Sequence, residues 1–209
     1  TRLDANHRAL EVYYHRIGTD QSQDPLIFKE KDPGFFVSVD GSPLDDYIFI
    51  DIHDHETSEC WMLPTDNPAA SPRLIAPRQT GIEYSIAPGG DVFYILTNAG
   101  GAKDFKIVVT PAHAPEPENW QDVVPEKPGR LLLSHAAYKH HLVWLERDNG
   151  LPRIVIRDRD TGEEHAIAFD EEAYSLGLHG SAEYDTDIIR FSYSSIPTPE
   201  QLYDHNLRP

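Results

Sequence analysis

The residues best equipped for chemistry in this chain crowd into Asp51-Ile52-His53-Asp54-His55-Glu56. Side chains alternate between the faces of an extended strand, so Asp51, His53 and His55 would share one face. Imidazoles and a carboxylate together make a zinc donor set. The same run also reads as a polar turn between two strands, where Asp and His are frequent. His140-His141 is a second candidate pair, but alternation sends the two rings to opposite faces. Ser42 in Gly41-Ser42-Pro43 and Ser181 in Gly180-Ser181-Ala182 are hydroxyls at loop tips. Neither lies in a Gly-x-Ser-x-Gly elbow, which occurs nowhere in the sequence, so the eleven histidines have no nucleophilic serine to join. Cys60, the single cysteine, sits in the alternating run Glu59-Cys60-Trp61-Met62-Leu63 and reads as a buried thiol. No catalytic, cofactor-binding or metal-ligating residue is assigned, and no cofactor is called for.

The elements that must position these residues recur. Residues Phe35–Pro77 read as four short strands, Phe35–Val39, Tyr47–Ile52, Ser58–Leu63 and Arg73–Ala76. Residues Ile82–Pro125 repeat the cycle with Ile82–Ile86, Val92–Thr97, Phe105–Val109 and Trp120–Val124. Residues Arg130–Phe169 repeat it with Leu131–Ser134, His141–Glu146, Arg153–Asp158 and Glu164–Ala168. A fourth cycle opens at Tyr174 with strands at Tyr174–Leu178, Ile188–Tyr193 and Gln201–Asn206. Before the first cycle, Ala9–His15 and Leu26–Lys29 read as strands of an earlier one. The cycle starts are 47, 48 and 44 residues apart. Four strands at such a period are the mark of β-propeller blades. The fold expected is all-β: a partial propeller of about four antiparallel blades, arranged as an open arc within a single domain over 1–209. Its parts are partial blades at 1–31 and 174–209 and blades at 35–77, 82–125 and 130–169.

Each cycle has one grammar. An apolar first strand leads to a tight polar loop: Asp40-Gly41-Ser42-Pro43, Ala87-Pro88-Gly89-Gly90-Asp91, Ala136-Ala137-Tyr138-Lys139 or Gly180–Asp187. Gly and Pro supply the reversal. The second strand is the most apolar, as burial on both faces requires. The aromatics Tyr13, Tyr14, Phe35, Phe36, Tyr47 and Phe49, at strand spacing, read as packing between blades. Asp160-Thr161-Gly162 is a hairpin turn before a short polar outer strand. Pro197–Gln201 reads as one helical turn or the approach to a strand.

A formal charge of −17 disfavours nucleic acid and anionic membrane surfaces and favours basic partners. Arg2, Arg8, Arg16, Arg73 and Arg78 make no basic patch amid these acids. No 18-residue apolar run is present, so no membrane-spanning helix is expected. Thr1-Arg2-Leu3-Asp4 has neither an initiator Met nor an apolar stretch and does not read as a signal peptide. The lone cysteine fits a reducing, cytoplasmic setting.

Ordered stretches along the chain carry a family likeness. They are Val12-Tyr13-Tyr14-His15-Arg16-Ile17-Gly18-Thr19, Asp45-Asp46-Tyr47-Ile48-Phe49-Ile50-Asp51, Thr57-Ser58-Glu59, Tyr94-Ile95-Leu96-Thr97-Asn98, Glu118-Asn119-Trp120 and Gly150-Leu151-Pro152-Arg153-Ile154. The last is Arg190-Phe191-Ser192-Tyr193-Ser194-Ser195, leading to Thr198-Pro199 and Tyr203-Asp204. In these the chain resembles the propeller region of the prolyl oligopeptidase family of serine peptidases, and within it the oligopeptidase B (protease II) branch. The resemblance implies a two-domain hydrolase in which a seven-bladed propeller covers an α/β-hydrolase domain and admits only short peptides, cut after Lys or Arg. It implies that this chain is the second half of such a propeller, a non-catalytic portion that gates entry of short basic peptides. The hydrolase domain of the parent would then be its partner. A free-standing propeller-type interaction module is the alternative. End blades without neighbours are expected to drive self-association.

Overall fold

The computed structural model describes residues 2–3, 7–181 and 183–208; Thr1, Asp4 and Ala182, which enter the readings above, lie outside the described residues. Among the described residues eighteen strands, paired antiparallel, form five separate sheets, with short 3-10 turns at Gln21–Gln23, Ala99–Gly101 and Pro117–Asn119. Among the described residues no helix is long and apolar enough to cross a membrane. The chain divides into two compact units, Thr1–Tyr84 with Pro115–Asn119, and Ser85–Ala114 with Trp120–Pro209.

The first unit holds two sheets. Sheet I is β1 (Arg2–Leu3), β2 (Ala9–Tyr13) and β3 (Leu26–Lys29). Sheet II is β4 (Phe36–Gly41), β5 (Tyr47–His53), β6 (Ser58–Pro64) and β7 (Arg73–Ala76), neighbours in chain order. Val12, Ile27 and Phe28 of sheet I pack on Val37, Ile50, Ile52 and Leu63 of sheet II. Ile50 and Ile52 are fully buried, as the unbroken apolar run in β5 requires. Each side chain buried in this way contributes roughly 1.5–3 kcal/mol. The Tyr84 hydroxyl caps the irregular register between β6 and β7: it accepts the Cys60 N–H at 2.6 Å and donates to the Ala76 carbonyl at 2.7 Å.

The second unit carries the other three. Sheet III comprises β8 (Tyr84–Pro88), β9 (Val92–Thr97), β10 (Lys106–Pro111) and β11 (Gln121–Val124). Sheet IV comprises β12 (Arg130–Ala137), β13 (His141–Asp148), β14 (Leu151–Asp158) and β15 (Glu164–Ala166). Sheet V comprises β16 (Tyr174–His179), β17 (Ile188–Ser195) and β18 (Gln201–Asn206). Tyr94, Leu96 and Ile107 of sheet III meet Leu132, Leu142 and Trp144 of sheet IV. Val143, Ile154 and Ile156 of sheet IV meet Ile189, Phe191 and Tyr193 of sheet V.

The structure departs from the sequence reading in instructive places. β12 runs on to Ala137, through a register shift between Leu132 and Ser134, so half of the expected Ala136–Lys139 loop is strand. Sheet I gains β1, which the sequence reading missed because two residues carry no periodicity. Of the six aromatics expected in the packing, Phe49 is buried to 6% exposure but Phe36 is 39% exposed, on the solvent face of an edge strand. Sheet V has two unlike faces. Ile189, Phe191 and Tyr193 are buried, whereas Ile188, Arg190 and Ser192 face away from that core, with Arg190 and Asp204 paired through both guanidinium arms.

Candidate functional site

The strongest sequence candidates separate in space. β5 ends at His53, and Asp54 turns the chain by accepting the Glu56 and Thr57 amides at 2.8 and 2.7 Å. His53 and His55 lie around the exposed Phe36 ring, at 5.7 and 6.3 Å between centroids. Asp51 instead points into the sheet beside Cys60, its cross-strand partner, and burial lifts its carboxyl above the ordinary value. The run is therefore the end of β5 followed by a polar turn. Among the described residues no three His, Cys, Asp or Glu side chains converge as a metal group would. His141 is buried while His140 reaches toward Asp160 at 3.5 Å, the opposite orientation expected from alternation. The Cys60 thiol is 2% exposed, and burial followed by Asp51 pushes its pKa well above normal, which keeps it an unreactive thiol. Ser42 is likewise committed: its oxygen bonds Asp46 and accepts the Asp46 and Tyr47 amides. Ser181 accepts the Glu183 amide at 3.0 Å.

What the structure does assemble is two arginine-centred ties. In the first unit Arg78 follows β7 and lies between two carboxylates. Its Nη2 donates to Glu30 at 2.5 Å and to Glu59 at 3.0 Å, and its Nε to Glu59 at 3.1 Å. The Trp61 indole donates to the same Glu59 at 2.8 Å, and Glu30 also caps the amides of Lys31 and Asp32. The guanidinium stacks over Phe35 at 4.1 Å. Burial would raise the Glu59 pKa, but the Arg78 and Trp61 hydrogen bonds hold it below the ordinary carboxylate value. Sheet IV repeats the carboxylate–indole pair: Trp144 donates to the buried Glu146 at 2.7 Å, with Arg153 at 3.1 Å.

In the second unit Arg159, in the turn after β14, is bound by neutral acceptors. Nε donates to the Tyr94 hydroxyl at 3.0 Å and Nη2 to the Gly89 carbonyl at 2.9 Å. Nη1 donates to the carbonyls of Tyr138 and Lys139 at 2.7 and 3.0 Å and to the Tyr184 hydroxyl at 2.8 Å. All of these acceptors but Tyr94, which lies in β9, come from the first-to-second-strand turns of sheets III, IV and V. The glycines make room: a Cβ at Gly89 would stand 2.8 Å from Tyr94 Cε2, and one at Gly90 would stand 3.2 Å from the Tyr184 oxygen. A second link runs beside it, from the Lys139 amide to the Tyr184 carbonyl at 3.1 Å and from Lys139 Nζ to Asp185 at 2.8 Å. The sequence reading saw Gly89-Gly90, Tyr138-Lys139 and Asp160–Gly162 only as turns. The one legible signal was a cation, Arg159, set between aspartates in such a turn.

Repeated antiparallel sheets of four strands, packed sheet on sheet within each unit, define a propeller-type domain. The family model described as prolyl oligopeptidase, N-terminal beta-propeller domain matches residues 1–209, and the chain belongs to that family. It is 33% identical to dipeptidyl aminopeptidase BI of Pseudoxanthomonas mexicana over 94% of its own length and 27% of the relative's. It is 32% identical to Protease 2 of Moraxella lacunata over 100% of its own length and 29% of the relative's. The oligopeptidase B structure from Trypanosoma brucei, a closed form with covalently bound antipain, superposes with a TM-score of 0.88 at 26% identity, over 98% of this chain and 30% of that one. The Leishmania major oligopeptidase B gives 0.88 at 25%, over 99% and 30%. The chain thus spans less than a third of the relatives it matches.

Proposed function

We propose that this chain is the non-catalytic propeller portion of an oligopeptidase B-like serine peptidase, and that it gates access of short, basic peptides to a hydrolase domain of the same protein. The observation that carries the reading is the match of the whole chain to the propeller family, together with close superposition on oligopeptidase B. The gate is steric: packed blades leave a passage that passes an extended peptide and stops a folded protein. The surplus of acidic residues draws basic peptides inward. The single, buried Cys60 suits a cytoplasmic protein. The test is the full reading frame, expressed and assayed on Arg-ended peptides of increasing length and on a folded protein carrying the same sequence. Cleavage that falls off with size, abolished by a serine-peptidase inhibitor, supports the reading. A frame without a Gly-x-Ser-x-Gly segment overturns it in favour of a free-standing interaction module.

The isolated chain is also proposed to self-associate. Ile188, Leu202 and Tyr203 of sheet V are 51%, 63% and 42% exposed, although Arg190 and Asp204 make much of that surface polar. Light scattering that shows only monomer at high concentration removes this proposal.

A further inference from the structure

Arg159 differs from the arginines of the chain that sit in ion pairs. Arg73, Arg78, Arg153, Arg157, Arg190 and Arg208 all pair with carboxylates. Among the described residues no carboxylate lies within ion-pair reach of Arg159, and its five hydrogen bonds go to three carbonyls and two phenols. A half-buried cation without a counter-charge is costly, so its bonds must be geometrically good, and a planar fork of donors is the group that can make them. Those bonds converge from three successive sheets. Four come from turns between a first and a second strand and the fifth from Tyr94 in β9, and the glycine pair Gly89-Gly90 is shaped around the two tyrosines that complete the set.

In a propeller whose first strands line the central channel, these turns would stand at the channel mouth. We propose that Arg159 is a positioning residue that latches the inner turns of three successive blades, and so fixes the width of the mouth through which peptide enters. The inference deepens the gating reading above and rests on it for the entry role. The latch itself rests only on the bonds. Tyr184 is its far end, in the connection between β16, which ends at His179, and β17, which starts at Ile188. Lys139 and Asp185 hold that loop by a surface pair, which salt screens. Arg159 therefore carries the loop at high ionic strength.

The experiment is hydrogen exchange by mass spectrometry on the protein expressed from its full reading frame, alongside cleavage of a peptide length series. Arg159→Met is expected to speed exchange about tenfold at the amides of Gly89, Tyr138, Lys139 and the Gly180–Asp187 loop together, with β5 and β6 of the first unit unchanged. Faster exchange confined to the Asp158–Gly162 turn overturns the latch. Should Arg159→Met loosen every segment, Tyr184→Phe decides, since it deletes one hydroxyl and keeps the ring. Faster exchange in 180–187, growing with salt, supports the latch, and wild-type exchange overturns it. For the entry role, the kcat/KM ratio of long to short peptides should rise about fivefold in both variants. A latch that loosens with an unchanged length ratio overturns the entry role and leaves the tie standing, which separates this failure from failure of the gating reading itself.

Discussion

Two arginines do the same mechanical job in the two units by different chemistry. Arg78 ties sheet I to sheet II through Glu30 and Glu59, 6% and 9% exposed. Arg159 ties the turns of three sheets through neutral oxygens. A carboxylate-bound cation is held by charge, so it tolerates imprecise geometry and depends on protonation. A cation held by carbonyls and phenols depends on the direction of each donor and hardly on pH in the physiological range. The first unit is thus built to be stiff at neutral pH. The turns of the second are built to be exact in shape.

The largest effect should follow from breaking the charged tie. Arg78→Met leaves two buried carboxylates facing each other without a cation, and removing one partner of a buried pair costs about 3–5 kcal/mol. Urea unfolding at pH 7 measures the loss. The pH dependence identifies its cause. In the native protein the Glu59 pKa is held down, so its pairing contributes above the ordinary carboxylate value of 4.5 and is lost as pH falls through the lowered one. In the variant the Arg78 bonds are gone and burial, opposed by the Trp61 bond, lifts the Glu59 carboxyl relative to wild type, so the folded state takes up that proton earlier. The variant should recover relative to wild type as pH falls from 7 toward about 5. A loss that does not change with pH would mean that packing over Phe35, not charge, is what Arg78 provides.

Acid should separate the units in the other direction. The His135 ring in β12 lies 2.9 Å from the Tyr94 carbonyl through Nε2, which makes it the neutral tautomer donating there. Burial lowers its pKa to about 4, with the Tyr94 bond opposing. The unfolded chain therefore binds a proton that the folded one does not, and stability present above pH 6.5 is lost as pH falls toward 4, by about 2–3 kcal/mol. His141, also lowered by burial, adds to the slope. Segment-resolved exchange should show sheets III and IV loosening between pH 6.5 and 4.5, before the Arg78 tie weakens. His135→Gln should flatten that slope, and a first unit that loosened first would reverse the assignment.

The strand order was legible from the cycle because the periodicity is carried by long apolar second strands such as Phe93–Leu96 and Leu142–Leu145, whose burial admits no other reading. Strand ends were less legible. β12 continues through an irregular register that no pattern of two announces, and β1 is held by pairing rather than by its own two residues. The ties were hidden for a different reason. Glu59 and Trp61 share a strand face two residues apart, which sequence shows, but Arg78 reaches them from 19 residues away and Glu30 lies 48 residues from Arg78. Arg159 meets Gly89 across 70 residues. Only a fold can report such distances. The histidine run was open to two readings, and Asp54 chose the turn, a local hydrogen-bond preference that outweighed strand alternation just where β5 ends.

Lysine exchanges sharpen the contrast between the two ties. Lys keeps the charge and loses the fork. Arg159→Lys cannot reach acceptors on three sides and should cost about 2 kcal/mol, nearly as much as Arg159→Met, because buried carbonyls are left without donors. Arg78→Lys should keep most of the charge compensation of Glu30 and Glu59 and recover more than half of what Arg78→Met loses. Thermal unfolding of the four variants gives the two ratios. Equal recovery by lysine at both positions would erase the distinction between a tie made by charge and one made by direction.

The smallest effect tests whether the neutral tie is a network or a set of independent bonds. Tyr184→Phe and Tyr94→Phe each remove one hydroxyl acceptor at 2.8 and 3.0 Å and should cost about 1 kcal/mol apiece. The two hydroxyls share one guanidinium, whose orientation each helps to fix. Once the first is gone, the second bond is already weakened. The double variant should therefore cost less than the two single losses combined, with a coupling energy of about 0.5–1 kcal/mol. The matched control is Trp61→Phe with Trp144→Phe. Their carboxylates, Glu59 and Glu146, belong to different ties, so those losses should add. Additivity at both pairs would reduce Arg159 to a collection of separate contacts. Coupling at the tyrosines alone would show that three turns are held as one.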